Sequence, residues 1–256
     1  MKTPAVALGA ALVFSTVAVA GARAGQIPIT TSSAEAKQLY LKGRDLQEKL
    51  RATDARPLFE QALAKDPAFT MAAVGLANSS GTAKEFFDGV SQAVALSAKA
   101  SEPEKLVVCA LDAGAKGEPA RQKDCLTKLT AACPDDARAQ NLMGAFHFGR
   151  QDYDAAIAAY EKARRKAPKD ADLLADLGAA HRNRGELKLA VSYFRKAREI
   201  QPDHWQALVN EVLVEAFDRR DADAAQKAYD ELKKRHPEIP QIDRIQDQIS
   251  KVRAGA

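Results

Sequence analysis

The chain lacks most of the features that announce a chemistry. No H-E-x-x-H, C-x-x-C, G-x-S-x-G or P-loop pattern occurs, and nothing pairs a nucleophile with a base at a recognisable spacing. The sequence therefore nominates no catalytic residue, metal ligand or cofactor. There are only four histidines, whereas a zinc site needs three or four converging ligands. After residue 24 no apolar run is long enough to cross a bilayer. Charge of one sign is not in excess: 38 Lys and Arg stand against 34 Asp and Glu. Without residues 1–24 the counts are 36 and 34, a net charge of +2. That balance gives no electrostatic case for nucleic acid or an anionic membrane. Aromatics make up only 6% of the 256 residues, and no alternating strand pattern appears. The abundant alanine suits closely packed helices, because a small side chain lets helix axes approach.

What is present begins with a leader. "MKTPAVALGAALVFSTVAVAGARA" has a cation at Lys2, an apolar run and then small residues. Ala22-Arg23-Ala24 fits a cleavage site, and Ala18-Val19-Ala20 is a second one. The stretch reads as a secretory signal peptide over residues 1–24, with an uncleaved N-terminal anchor as the alternative. A linker at 25–33 follows. The expected location is the periplasm or outside the cell.

Prolines then recur at Pro67, Pro134, Pro168, Pro202 and Pro237, with a spacing near 34 over the last four. Leu174, Leu177, Gly178 and His181, followed by Ala190, Phe194, Ala197 and Pro202, make one unit. Met143, Gly144, His147, Ala156, Tyr160, Ala163 and Pro168 make the unit before it. Leu39, Gly43, Leu46, Ala55, Phe59, Ala62 and Pro67 make an earlier one. Val209, Val212, Leu213, Ala216, Ala225, Tyr229 and Pro237 are read as a looser last unit. This pattern resembles the tetratricopeptide repeat, a helix-turn-helix unit of 34 residues. Glycine allows close crossing, large residues fill the space beside it, and proline stops the second helix. Asp135, Asp170 and Asp203, just past the prolines, are expected to cap the next helices.

Residues 68–133 match less well. Phe69–Asn78 and Ala83–Ala100 read as a helix pair without the glycine and proline marks. A capping box at Ser101 and Glu104 opens a second pair, Glu102–Ala115 and Pro119–Ala132, around Lys116-Gly117-Glu118. The resemblance implies an all-α, right-handed solenoid of about six repeats over 34–237, two of them degenerate. A capping helix and tail at 238–256 close it. Basic clusters at the ends of second helices, such as "EKARRKAP", face acids at their starts. They read as helix-dipole patterning on a solvated surface. His147 and His181 take the place usually held by tyrosine and read as core histidines.

The family's members bind peptides or protein segments, so the implied function is a non-catalytic interaction scaffold of the periplasm or cell envelope. The alternatives are a regulatory subunit or enzyme with an unrecognised site, or a helper in envelope assembly or export. In the family the concave face is lined by a stripe beside the core stripe of the first helices. Here it is Arg138, Asn141, Ala145 and Phe148; then Ala175, Ala179 and Arg182; then Asn210, Val214 and Phe217. Phe148 and Phe217 are the expected anchors. The chaperone-binding members hold a carboxylate in a clamp. Asp176 stands where the clamp's middle asparagine is expected, which argues against capture of an acidic C-terminus.

A disulfide is expected between Cys109 and Cys125. An exported chain meets an oxidising compartment. The two residues lie equally far from Gly117, so in antiparallel helices they stand at the same height. Cys125 and Cys133 are separated by roughly 12 Å of helix rise, beyond the reach of a bridge. Cys133 is left over.

Overall fold

The computed structural model describes residues 25–48, 51–236 and 242–254. The leader, Pro237 and the start of the expected capping segment lie outside them. The described residues form thirteen α-helices and no strand. Six antiparallel pairs follow in order: α1 (Ala34–Glu48) with α2 (Ala52–Lys65), α3 (Thr70–Asn78) with α4 (Ala83–Leu96), and α5 (Glu102–Ala115) with α6 (Pro119–Ala132). Then come α7 (Ala137–Gly149) with α8 (Tyr153–Lys166), α9 (Ala171–Asn183) with α10 (Leu187–Ile200), and α11 (Trp205–Leu213) with α12 (Ala222–Arg235). A last helix, α13 (Ile242–Arg253), packs on α12. Each pair also packs on the next, which is the arrangement of a solenoid.

The crossings show why the repeats carry glycine. A Cβ on Gly144 would stand 2.4 Å from the Tyr160 ring, and one on Gly178 would stand 2.4 Å from the Phe194 ring. Phe194 has no exposed surface. The second pair, which lacked recognisable marks, uses the same device differently. Gly75 of α3 receives Phe59 from the preceding pair, and Gly89 of α4 lies against Ala77.

Many helix starts, though not those of α2, α3, α6 and α10, are capped by side chains, as the sequence predicts in kind but not always in place. Asp170 accepts from the Leu173 N–H, and the Ser101–Glu104 capping box forms. At α7 the cap is Asp136, not Asp135, and at α11 it is His204, not Asp203. Both caps sit directly before the first helical residue, where the side chain reaches an orphan N–H. The α4 helix ends at Leu96 and a 3-10 turn, Ser97–Lys99, fills the rest of the expected span.

The turns inside pairs contain a left-handed residue at Gly117, Gln151, Gly185 and Arg220, with φ of +66°, +62°, +89° and +54°. Their spacing is 34, 34 and then 35. The extra residue appears as a π turn, Val214–Asp218, at the end of α11. It shifts the register of the sixth pair. Leu208 and Val212 are fully buried and continue the 34-residue phase from Leu174 and Gly178. Val209 is only half-buried, so the expected phase of this unit was one residue late before the insertion.

The segment at 25–33 has a fixed course. It runs from the start of α7 past the start of α5 to the α2–α3 turn, where Asp66 ends α2. The Ile27 N–H donates to Asp136 Oδ2 at 2.8 Å, and the Thr30 N–H donates to Glu104 Oε1 at 2.8 Å. The Ser32 N–H donates to Asp66 Oδ2 at 2.9 Å. Ile27 is buried in a core cluster that reaches from the first pair to Phe146.

Candidate partner-binding surface

The expected stripe begins on α7, and its members meet different fates. The half-buried Arg138 donates from Nη2 to the Ile27 carbonyl at 2.9 Å and to Asp136 Oδ2 at 2.7 Å. Burial alone would raise the Asp136 pKa, but Arg138 and the N–H groups of Ile27 and Arg138 hold it below the usual carboxylate range. Asn141 is half-buried, and its Oδ1 is buried without a partner. Phe148 lies edge-on to Tyr153 at 5.7 Å and packs on the α8 core. Its role is largely internal.

Ala145 is exposed. With Val107, Leu111, Leu142 and Phe146 it forms the apolar part of a cleft of about 400 Å³ whose lining also includes Asn78, Gln122 and Arg150. Leu142 is 39% exposed, so this wall is open to solvent. The sequence reading passed over Leu142.

Further along, Ala175 is buried and Ala179 half-buried. Arg182 pairs with Asp218 at 2.6 Å across to the π turn. Asn210 is half-buried. Val214 has no exposed surface and belongs to the core of α9 and α10. It cannot contact a partner. It stands 34 residues after the buried Ala180, so the expected stripe was one residue late here. Phe217 is 47% exposed and keeps its place on the surface.

The α1 helix also reaches this surface. Asp45 and Glu48 line a cleft of about 490 Å³ with Pro168, Asp170, Asp172 and Gln201. Burial raises the Glu48 and Asp170 pKa values, and neighbouring carboxylates add to the effect. Asp176 is the extreme case. Its carboxyl is half-buried, and desolvation pushes its pKa up to about 7, helped by Asp172 and Asp170. The clamp-like position is thus occupied by an acid that resists ionisation. A second carboxylate has no favourable place beside it.

The histidines are used internally. His181 stacks on Tyr193 at 5.1 Å and bonds Glu186 at 2.6 Å. His147 bonds Asp152 at 3.2 Å in the same way one repeat earlier. His204 caps α11 through Nδ1 and meets Asp172 at 3.0 Å through Nε2. No group of three potential metal ligands converges among the described residues.

A buried ion network went unread in the sequence. Glu211 and Glu215 are almost fully buried. Arg195 and Arg198 hold Glu211 at 2.7 and 2.5 Å, and Arg219 holds Glu215 at 2.6 Å. Their signal was the spacing of 211 and 215, one helical turn apart, facing 195 and 198 on α10.

Cys109 and Cys125 are bonded across the α5–α6 pair, with Cα atoms 6.0 Å apart. Cys133 is free and buried, and burial, with Asp136 nearby, raises its pKa. No helix among the described residues is long and apolar enough to cross a membrane.

Comparison with known proteins follows the geometry. Compared with curated proteins, the chain matches none. Among solved structures it resembles the hetero-tetramer Cut9–Hcn1 of the APC/C, at 20% identity and a TM-score of 0.59 over 85% of this chain and 46% of that one. It resembles PilW, a type IV pilus biogenesis factor, at 16% identity and a TM-score of 0.56 over 84% and 99%. Human IFIT1 aligns at 16% identity and a TM-score of 0.62 over 84% and 53%. The chain therefore spans about half of two of these structures and nearly all of the third. These likenesses concern the fold. The tetratricopeptide repeat profile matches residues 40–80, 110–171 and 146–204, more than half of the sequence, and the chain belongs to the tetratricopeptide repeat family.

Proposed function

We propose that the protein is a non-catalytic scaffold that holds a peptide or protein segment on the inner surface of its first helices. The observation that supports this reading is the apolar part of the open cleft, made by Val107, Leu111, Leu142, Ala145 and Phe146. A solvent-facing wall of this kind favours an apolar side chain from outside. Family membership supports it too, because repeats of this kind stack into extended binding surfaces. The chain acts in the periplasm or cell envelope. The leader at 1–24 and the Cys109–Cys125 bridge support that location, since such bridges persist in oxidising compartments.

The test is retention of partners by tagged protein recovered from periplasmic extract. Leu142→Ala combined with Phe217→Ala should weaken retention by about tenfold, because exposed anchors dominate binding. Both side chains are partly exposed, so the melting temperature should barely move. Undiminished retention would rule out this surface.

A further inference from the structure

We infer that the rim made by the α2–α3 turn and the starts of α5 and α7 is itself a peptide site, occupied in this chain by its own residues 25–33. Its ligand class is an extended, uncharged segment with aliphatic residues two apart around a proline, followed by hydroxyl side chains. The occupant shows what the rim recognises. Three acids from successive repeats, Asp66, Glu104 and Asp136, receive main-chain N–H groups of Ser32, Thr30 and Ile27. Thr31 Oγ1 also donates to Asp66 Oδ2 at 2.5 Å. The rim answers through main-chain donation from its own side as well: the Asp135 N–H donates to the Gly25 carbonyl at 3.0 Å. Arg138 donates to the Ile27 carbonyl.

The side chains add a pattern. Ile27 and Ile29 lie on one side of an extended chain, as residues two apart must. Both pack on the core cluster of the first three pairs and α7, Ile27 fully and Ile29 partly. Pro28 has no N–H, and the rim asks for none there. Gln26 and Thr30 are exposed, so their identities matter less, whereas the Ser32 hydroxyl donates to Asp66 Oδ2 at 3.2 Å. The only rim cation in this set is Arg138, and Asp136 already neutralises it.

The occupant is also replaceable. Only Ile27 is fully buried, Ile29 is half-buried, and the remaining attachment is hydrogen bonding that water or another segment can supply. The segment joins the solenoid through α1 and can leave without opening any helix pair. Its departure would free Arg138 Nη2 from the Ile27 carbonyl. That arginine belongs to the stripe on the inner surface, so the rim and the inner surface are coupled through one side chain. A partner segment of the same pattern therefore competes with residues 25–33. The inference does not depend on the apolar cleft.

The probe is a synthetic peptide, Gly-Gln-Ile-Pro-Ile-Thr-Thr-Ser-Ser, labelled at its C-terminus. It is titrated into the full chain and into the full chain carrying Ile27→Asp, which cannot bury a charge in the core and so vacates the rim. The peptide should bind the Ile27→Asp chain at least about tenfold more tightly than the unaltered chain. Adding Asp136→Asn, which keeps a capping residue at α7, should weaken that binding. Equal binding to both chains, or none to an Ile27→Asp chain that keeps its helical circular dichroism, overturns the inference. Where Ile27→Asp unfolds the chain, hydrogen exchange on the unaltered protein decides. The Ile27 and Thr30 amides should exchange at least about tenfold faster than amides within α7, through local opening. Protection equal to that of α7 would show that residues 25–33 never leave.

Discussion

Asp176 shows how a single position can argue against one ligand class and tune stability at once. Desolvation of its half-buried carboxyl, with Asp172 and Asp170 repelling its charge, pushes its pKa up to about 7. An ordinary aspartate titrates at about 3.9. The folded chain therefore keeps a proton that the unfolded chain has lost between those two values. Where the folded state binds more protons, stability falls as pH rises, and here the loss is complete above about 7. Asp176→Asn removes the charge while keeping the shape. The variant should melt higher than the parent at pH 8, by about 2–4 °C for a gain of roughly 1 kcal/mol. At pH 4 the two should melt alike. Thermal denaturation at both values checks this, and a gain that ignores pH would refute the assignment to this carboxyl.

At the scale of elements, much was legible. The capping box and the turn at Gly117 gave α5 and α6 to the residue, and the glycine–aromatic units with their prolines placed the pairs α7–α8 and α9–α10 without fixing their ends. Periodicity works there because each unit repeats one physical solution. It fails where one residue is added. Counting back from Pro237 places the first helix of the sixth unit one residue late, and this moved Val214 onto a surface it does not share. The π turn was not legible, because an insertion has no composition of its own. The segment at 25–33 was illegible for another reason. Ile27 meets Asp136 across 109 residues, and no local pattern reports a contact of that separation. The turns offer a test of the same reasoning. Gln151 occupies a left-handed position, φ +62°, that Gly117 and Gly185 fill in the pairs on either side. A side chain in that conformation costs roughly 1–2 kcal/mol. Part of this is returned as the greater freedom of glycine in the unfolded chain. Gln151→Gly should therefore stabilise the protein by about 0.5–1 kcal/mol, read from urea denaturation midpoints. A lower midpoint would mean that Gln151 has interactions outweighing the turn.

Across the whole molecule the core is unevenly divided. One continuous cluster runs from Ile27 through the first three pairs to Ala139 and Phe146 of α7. Beyond it the apolar contacts break into three smaller clusters, two of them centred on α9 to α12. The first region is further joined by the Cys109–Cys125 bridge and by the segment laid across the α2–α3 turn, α5 and α7. The second is joined partly by charges. Glu211 and Glu215 are buried beside Arg195, Arg198 and Arg219, and burial raises the Glu215 pKa. A buried ion pair recovers its own desolvation at best, so it supports a unit less than apolar packing of equal volume. In a stack of repeats, stability is close to a sum of local and nearest-neighbour contributions. The two regions should therefore open separately. Amides of α3, α5 and α7 should be the slowest to exchange, and those of α11 to α13 should exchange at least about tenfold faster, which corresponds to 1.4 kcal/mol. Native-state hydrogen exchange followed by mass spectrometry measures both in one experiment. Reducing Cys109–Cys125 should narrow the difference by speeding α5 and α6 while leaving α11 to α13 unchanged. Uniform protection from α3 to α13 would mean that the solenoid opens as one cooperative unit despite its divided core.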